Sequence, residues 1–215
     1  MDDEREYIFP FKIKLPKVSM PIKITYTDEE LQRLLKKPKI KNVKFTEYRN
    51  WVIVNYCLSS GNRLRTVCNI LTDDVDIKNC CILLRAMKNG EQQILPLSQT
   101  ICTILEEYIS IRNSMFDGDY LFCTSRGQKI GTRGMQSAIA NFNKMRGVNK
   151  TSLHLFRHRF AKDWAAHGGS VFKLQKLLNH KSLEMSRRYC NLYSNDLRDD
   201  YNKYNSLELQ SKKKH

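Results

Sequence analysis

The sequence of 215 residues lacks a long hydrophobic run. None of its apolar stretches approaches the length of roughly 18 residues that a membrane-spanning helix needs. Acidic residues are also scarce, with 22 Asp and Glu against 37 Lys and Arg, which gives a formal net charge of +15. The N-terminal segment 1–4 is acidic and has no apolar run behind it, so no secretory signal is predicted. We therefore expect a cytoplasmic protein with no membrane partner, whose default ligand is a polyanion such as nucleic acid.

The cysteine pattern argues against a disulfide framework and against a zinc site. The seven cysteines are an odd number, contain no C-x-x-C pair and lie mostly in apolar runs, so we predict reduced and buried thiols. Apolar residues make up 41% and charged residues 27% of the chain, which excludes wholesale disorder. The length fits one large domain, or one domain with an extension.

Local signals divide the chain into an arm, a folded domain and a tail. Residues 1–26 hold three of the five prolines and alternate lysine with apolar residues, which predicts an extended basic arm or linker. Thr27 and Glu30 form a capping box that opens the first helix of a domain predicted to span 27–209. Residues 210–215 are too polar to pack and are predicted to be a disordered basic tail.

Hydrophobic spacing predicts a mainly α fold with a small antiparallel β-sheet (α+β). Asn89-Gly90 lies between two β-like runs and predicts a hairpin with Lys88 at its tip. The predicted strands are 80–84 and 93–97, with a third at 120–122. After the helix that the capping box opens, the predicted helices are 46–58, 64–71, 99–111, 133–145, 153–167, 171–178, 182–189 and 195–204.

The segment 154–158 carries the densest chemistry. On a helix, residues three and four apart share a face, so His154 and Arg157 point the same way and His158 lies near them. A planar guanidinium beside an imidazole is a suitable grip for a phosphate. The alternatives are an ordinary surface helix, or a metal site from the two histidines for which spacing offers no third ligand.

Other residues add to this segment along the chain. Arg63 opens a predicted helix, His180 ends another at a turn, and Tyr189 follows nine residues later. Together with Lys88 and the H-x-x-R segment, this order resembles the catalytic domain of the tyrosine recombinases, or phage-type integrases, especially those of conjugative transposons and related mobile elements. That family carries Arg, Lys, His-x-x-Arg, His or Trp, and Tyr. The resemblance covers about residues 22–209 and includes the pattern Leu-x-x-Leu-Leu-x-His, whose histidine is His180.

The resemblance implies a site-specific recombinase that joins DNA 3′ ends to a tyrosine while a mobile element integrates or is excised. It implies no metal, ATP or other cofactor, and double-stranded DNA at recombination sites as the partner. It also implies a monomer alone and a tetramer on DNA, with segment 195–209 packed on a neighbouring subunit. Bacterial nucleoid association during the reaction is expected. The catalytic residues implied are Arg63, Lys88, His154, Arg157, His180 and Tyr189, with Tyr189 as nucleophile.

Three of these assignments have competitors nearby in the sequence. Tyr193 competes with Tyr189, Arg65 with Arg63, and Arg85 with Lys88. His158 is expected to support the site through a hydrogen bond. The basic loop residues interpreted either as phosphate contacts or as an ordinary solvated loop are Lys36, Lys37, Lys39, Lys41 and Lys44. Arg159 is predicted to add positive charge near the DNA.

The sequence also departs from the family pattern. We expect the N-terminal DNA-binding domains of full-length members to be missing. Asn179 stands where glycine is usual, and a left-handed turn would tolerate it. Arg65-Thr66 replaces a common Ser-Glu, which removes a carboxylate near Arg63. Rival functions are a type IB topoisomerase, a DNA-binding remnant without catalysis, and a basic structural or adaptor protein.

Overall fold

The structure is a computed structural model that describes residues 25–39, 43–85, 92–180 and 182–193, with side chains as far as Tyr189. The predicted helix 195–204, most of the arm and the tail lie outside these residues. The helices are α1 (Asp28–Leu35), α2 (Phe45–Ser60), α3 (Leu64–Val67), α4 (Gln99–Asn113), α5 (Thr132–Met145), α6 (His154–Ala166), α7 (Val171–Leu178) and α8 (Leu183–Tyr193). The strands are β1 (Val75–Asp76), β2 (Cys81–Leu84) and β3 (Gln93–Pro96), so the predicted α+β fold is confirmed.

Helix α2 lies at the centre of the domain. It packs against α1, α4, α5 and α6, and apolar side chains around its circumference are buried, including the consecutive Val52, Ile53 and Val54. A helix that is apolar all round must be enclosed by other elements, and this explains its central position. Among the described residues, no helix has both the length and the apolar character needed to cross a membrane.

The sheet is a three-stranded antiparallel sheet in the order β1-β2-β3. Ile82 pairs with Leu95 and Leu84 with Gln93, so the predicted hairpin pairing is confirmed, although Lys88 at its tip lies outside the described residues. Ile82 and Leu84 are buried while the residues between and beside them are partly exposed, which is the period-two pattern of a half-buried strand.

Two local predictions were wrong. The helix expected over 64–71 ends at Val67, because the Leu71 N–H donates to the Asp74 carboxylate at 2.9 Å and the Thr72 N–H to Asp119 O at 2.8 Å. The strand expected over 120–122 is absent from the described part of the chain. Its first residue, Tyr120, forms an isolated bridge with Leu71, and Cys123, the residue after it, forms another with Lys129.

The thiol prediction is largely confirmed, because every described cysteine is free. Burial raises the pKa of Cys57 to about 12, so this thiol stays protonated and behaves as a small apolar group. The buried cysteines are Cys57, Cys68, Cys102 and Cys123, whereas Cys80 and Cys81 are half-buried.

The apolar side chains form two clusters, and the turn after α2 packs against the smaller one. The large one includes side chains from α1 to α6, and the small one consists of Ala161, Leu174 and Leu178 with partly buried neighbours. Gly61 in this turn has φ of 61°, and a Cβ there would lie 2.7 Å from Leu178 Cδ2 and 2.8 Å from Phe160 Cδ1, two side chains of the small cluster. Only glycine meets both the left-handed backbone and this close approach.

Candidate active site

Arg157 on α6 forms the floor of the site. Its side chain is almost fully enclosed, Nη1 donates to Gly61 O at 2.8 Å, and Nη2 donates to Leu178 O at 2.7 Å. Burial, with a second contribution from neighbouring Arg63, lowers the pKa of Arg157 to about 10. Both acceptors are neutral carbonyls, so these hydrogen bonds orient the guanidinium without cancelling its charge.

Arg63 reaches the same place from the start of α3. Its Nη1 and Nη2 each donate to Asn179 O at 3.3 Å, the carbonyl that follows the one bound by Arg157. Consecutive Cα atoms are only about 3.8 Å apart, so the two guanidiniums converge on one short stretch of backbone. Burial lowers the pKa of Arg63, but a guanidinium still stays protonated at neutral pH, so the turn at the end of α7 holds two adjacent cations.

Tyr189 on α8 lies against the histidines of α6. Its hydroxyl makes a close hydrogen bond with Nδ1 of His158, and the two ring centroids are 5.9 Å apart. His154 meets His158 edge to face, with ring centroids 4.3 Å apart. Positions i and i+4 share a helix face, so the two imidazoles lie together on one face of α6 and His158 is the one that meets the phenol.

His180 follows a left-handed residue at the end of α7. Asn179 has φ of 45° and ψ of 57°, so asparagine takes the left-handed conformation expected of this position. The His180 N–H donates to Gln175 O at 3.0 Å, and Nδ1 lies 2.8 Å from Ser186 Oγ. Burial, with further contributions from the two arginine side chains, lowers the pKa of His180 to about 4, so the ring is neutral at pH 7.

All of the predicted catalytic residues except Lys88 lie in the described residues, and the contacts above link them into one cluster. Lys88 lies outside these residues. The neighbouring Arg85 pairs with Asp74, whose side chain is 1% exposed. Sequence reasoning treated Arg85 only as a competitor of Lys88 and missed this buried carboxylate at the base of the hairpin.

The predicted DNA-contacting lysines share no single environment. Lys36 and Lys39 are exposed beside α1, and Lys44 is exposed at the N-cap of α2. Lys41 lies outside the described residues. Phosphate contact by this segment stays a prediction.

Two other predicted DNA contacts already have acidic partners. Lys37 Nζ donates to both carboxylate oxygens of Glu107, at 2.6 and 2.8 Å. Arg159 Nε lies 2.8 Å from both oxygens of Asp163, and Nη2 lies 2.5 Å from Asp28 Oδ1. DNA would have to compete with these carboxylates, so both assignments stay predictions.

Sequence reasoning missed Ser186, whose side chain is completely buried beside His180. A serine three residues before Tyr189 on a helix shares a face with it, and this spacing was a usable signal. Within the described ranges, no three His, Cys, Asp or Glu side chains come together as a metal ion would require.

A mainly helical domain that joins two arginines, a histidine pair, a further histidine and a tyrosine has the make-up of a tyrosine recombinase catalytic domain. The chain belongs to the phage integrase family, whose model matches residues 25–196.

The chain is similar to curated recombinases along most of its length. It is 30% identical over 175 residues to the tyrosine recombinase XerC of Thermodesulfovibrio yellowstonii, which covers 78% of this chain and 58% of that relative. It is 27% identical over 211 residues to the tyrosine recombinase XerA of Thermococcus kodakarensis, which covers 97% of this chain and 70% of that protein. The chain therefore spans little more than half of the XerC relative.

Solved structures confirm the fold. The crystal structure of XerA recombinase matches with a TM-score of 0.68 and 27% identity, over 91% of this chain and 67% of that one. The Tn1549 transposon integrase in complex with transposon right end DNA matches with a TM-score of 0.64 and 18% identity, over 91% of this chain and 70% of that one. At that identity the second match speaks for the fold alone.

Proposed function

We propose that this chain cleaves and rejoins DNA strands through a covalent 3′-phosphotyrosine, as the catalytic part of a site-specific recombinase. The observation that carries the proposal is the convergence of Arg63 and Arg157 on the turn that precedes His180, with Tyr189 held nearby by a histidine. We place the catalytic domain at 27–209, between a basic arm at 1–26 and a polar tail at 210–215.

The two arginines address the main obstacle to the reaction. The anionic oxygens of a phosphodiester repel a nucleophile, and charge increases further at the pentacoordinate transition state. Arg63 and Arg157 carry adjacent cations whose partners are carbonyls, so their charge is available to the two non-bridging oxygens.

Tyr189 supplies the nucleophile. Its phenolic oxygen forms the bond to phosphorus, the bond from phosphorus to the 5′-oxygen breaks, and the DNA 3′ end stays attached to the protein. The phenolic proton passes to the histidine pair. The family pattern gives the proton to His154, whereas Nδ1 of His158 is the atom that meets the hydroxyl.

The remaining two groups serve the phosphate and the leaving group. Lys88 is the proposed general acid that gives a proton to the departing 5′-oxygen. His180 donates a hydrogen bond to a non-bridging oxygen, which a neutral imidazole can do through one nitrogen. Rejoining reverses these steps when a 5′-hydroxyl attacks the phosphotyrosine.

The proposed reaction uses neither ATP nor a metal. The phosphotyrosine ester retains the free energy of the broken phosphodiester, so rejoining needs no other energy source. The two guanidiniums supply the charge that a divalent cation supplies in many phosphoryl-transfer enzymes.

The proposed partner is double-stranded DNA at the recombination sites of a mobile element. We propose a monomer alone and a tetramer on DNA, with segment 195–209 packed on a neighbouring subunit. Location in the cytoplasm, with nucleoid association during the reaction, is part of the same proposal.

The deciding experiment traps the covalent intermediate. The full chain is mixed with a pool of duplexes that carry a nick beside a randomised core. Cleavage next to the nick releases a short strand that diffuses away, so its 5′-hydroxyl is no longer there to rejoin the DNA. A protein–DNA adduct on a denaturing gel is expected for the wild type and for Tyr193→Phe, and none for Tyr189→Phe. An adduct that persists in Tyr189→Phe overturns the nucleophile assignment. No adduct with the wild type favours the alternative of a catalytically inactive DNA-binding remnant.

A type IB topoisomerase would form the same adduct. Two assays on selected sites separate the activities, namely relaxation of a supercoiled plasmid with one site and exchange between two sites. The named recombinase relatives favour exchange. Relaxation without exchange would support the topoisomerase alternative.

A further inference from the structure

The contact between Ser186 and His180 is unusual because it is buried on both sides. The Ser186 side chain has no exposed surface and His180 is 7% exposed. Ser186 Oγ lies 2.8 Å from Nδ1 of His180, which is the ordinary length of a good hydrogen bond. The serine belongs to α8 and the histidine to the turn after α7, so this bond joins two elements.

A neutral imidazole carries a single proton on one of its two nitrogens, and the choice decides what each nitrogen can bind. His180 is neutral at pH 7, because burial and then the two nearby guanidiniums lower its pKa to about 4. A phosphodiester oxygen has no proton and can only accept. His180 can therefore serve the phosphate only when Nε2 carries the proton and Nδ1 is bare.

We infer that Ser186 is a positioning residue that donates its hydroxyl proton to Nδ1 of His180 and thereby holds the Nε2–H tautomer. A serine hydroxyl both donates and accepts, so it can satisfy a bare Nδ1 in a place where water is excluded. The hydrogen bond itself is independent of the proposed function, but its benefit to catalysis rests on that function.

The position of Ser186 on α8 gives this contact a further consequence. Ser186 and Tyr189 are three residues apart and share a helix face. Tyr189 reaches His158 from that face while Ser186 reaches His180. Docking of α8 therefore places the nucleophile and orients the phosphate donor in one step, so the two groups become competent together.

The first test observes the tautomer directly. Long-range proton–nitrogen correlation spectra of the ¹⁵N-histidine-labelled full chain at pH 7 identify which ring nitrogen carries hydrogen, and His180 is assigned by its loss in His180→Gln. We expect Nε2–H in the wild type and a mixture of both tautomers in Ser186→Ala. A wild-type ring protonated on Nδ1 would overturn the inference, whatever the activity.

The second test measures cleavage of a duplex selected from the adduct experiment. Ser186→Ala should slow adduct formation about tenfold, in the range typical when a group that orients a reactive side chain is removed, without weakening DNA binding. The control is the same substitution in His180→Trp, because an indole N–H cannot change tautomer. There, Ser186→Ala should have no further effect.

Equal slowing in both backgrounds would show that Ser186 acts only by packing. A wild type that forms no adduct while its Nε2–H tautomer is present would reject the proposed function and leave the hydrogen bond standing. If His180→Trp forms no adduct, the spectra alone decide whether Ser186 holds the tautomer of His180.

Discussion

The two halves of the candidate site rest on apolar cores of very different size. Arg63 and the start of α6 are supported by the large cluster, which takes in side chains from α1 to α6. His180 and Tyr189 are supported by the small cluster of Ala161, Leu174 and Leu178, against which Tyr189 itself packs. Local stability follows buried apolar contact, so α7 and α8 should open at lower free energy than the rest of the domain.

This difference teaches that the nucleophile and the backbone of the two arginines have separate apolar support. The backbone of Arg63 and Arg157 is supported by the larger core. Tyr189 belongs to the smaller one, and so do the carbonyls of Leu178 and Asn179 that orient both guanidiniums. Opening of the smaller core would therefore release the nucleophile and loosen both guanidiniums together, while the larger core stays folded.

The largest expected effect comes from a matched pair of leucines, Leu105 in the large core and Leu178 in the small one, which are 0% and 1% exposed. Leu105→Ala should lower the free energy of unfolding by about 3–5 kcal/mol and leave adduct formation by the folded protein unchanged. Leu178→Ala should lower it by about 2–3 kcal/mol, because a small core relaxes more easily, but should slow adduct formation strongly. Urea denaturation and the trapping assay measure the two quantities. Equal loss of cleavage in both variants would remove the distinction between the cores.

A smaller effect is expected from acid. The pKa of His180 is about 4 in the folded protein against an ordinary 6.5, so between these values the unfolded chain binds more protons than the folded one. Stability should therefore fall as pH drops from 6.5 towards 4, by at most about 1.4 kcal/mol per pH unit from this group. Urea denaturation across this range, compared with His180→Gln, isolates the contribution. Parallel curves for the two proteins would mean that His180 titrates normally.

The smallest effect is expected at Asn179. Its left-handed φ of 45° carries a steric cost that glycine avoids, so Asn179→Gly should change the free energy of unfolding by less than about 1 kcal/mol. A substitution at a second left-handed turn, Gly61→Ala, should cost more because its Cβ would meet Leu178 and Phe160. Thermal melting measures both. A large loss in Asn179→Gly would mean that the asparagine side chain supports the turn.

Local rules predicted much of the fold and the site. The capping box at Thr27, the hairpin pairing and the shared face of His154 and Arg157 all depend on residues close in sequence, and such signals can be seen without a structure. The order of Arg63, His180 and Tyr189 became informative through the resemblance to a family.

The rest depends on how helices cross. Which histidine meets Tyr189 is decided by the packing of α8 on α6. The pKa of His180 is lowered first by burial and then by two arginines distant in sequence. The early end of α3 follows from a local hydrogen bond of the Leu71 N–H to Asp74 and from a distant one of the Thr72 N–H to Asp119, which no nearby residue indicates. Long-range contacts of this kind lie beyond propensity and periodicity.

The contacts of Arg159 join the residues just before α1 to α6. Its Nη1 donates to Tyr26 O at 3.0 Å, its Nη2 pairs with Asp28, and the Tyr26 ring stacks on Phe156 at 4.3 Å. The polypeptide entering the domain is thus tied directly to the helix that carries His154 and Arg157. A displacement of the backbone at Tyr26 would therefore act directly on the first turns of α6, through its contacts with Arg159 and Phe156.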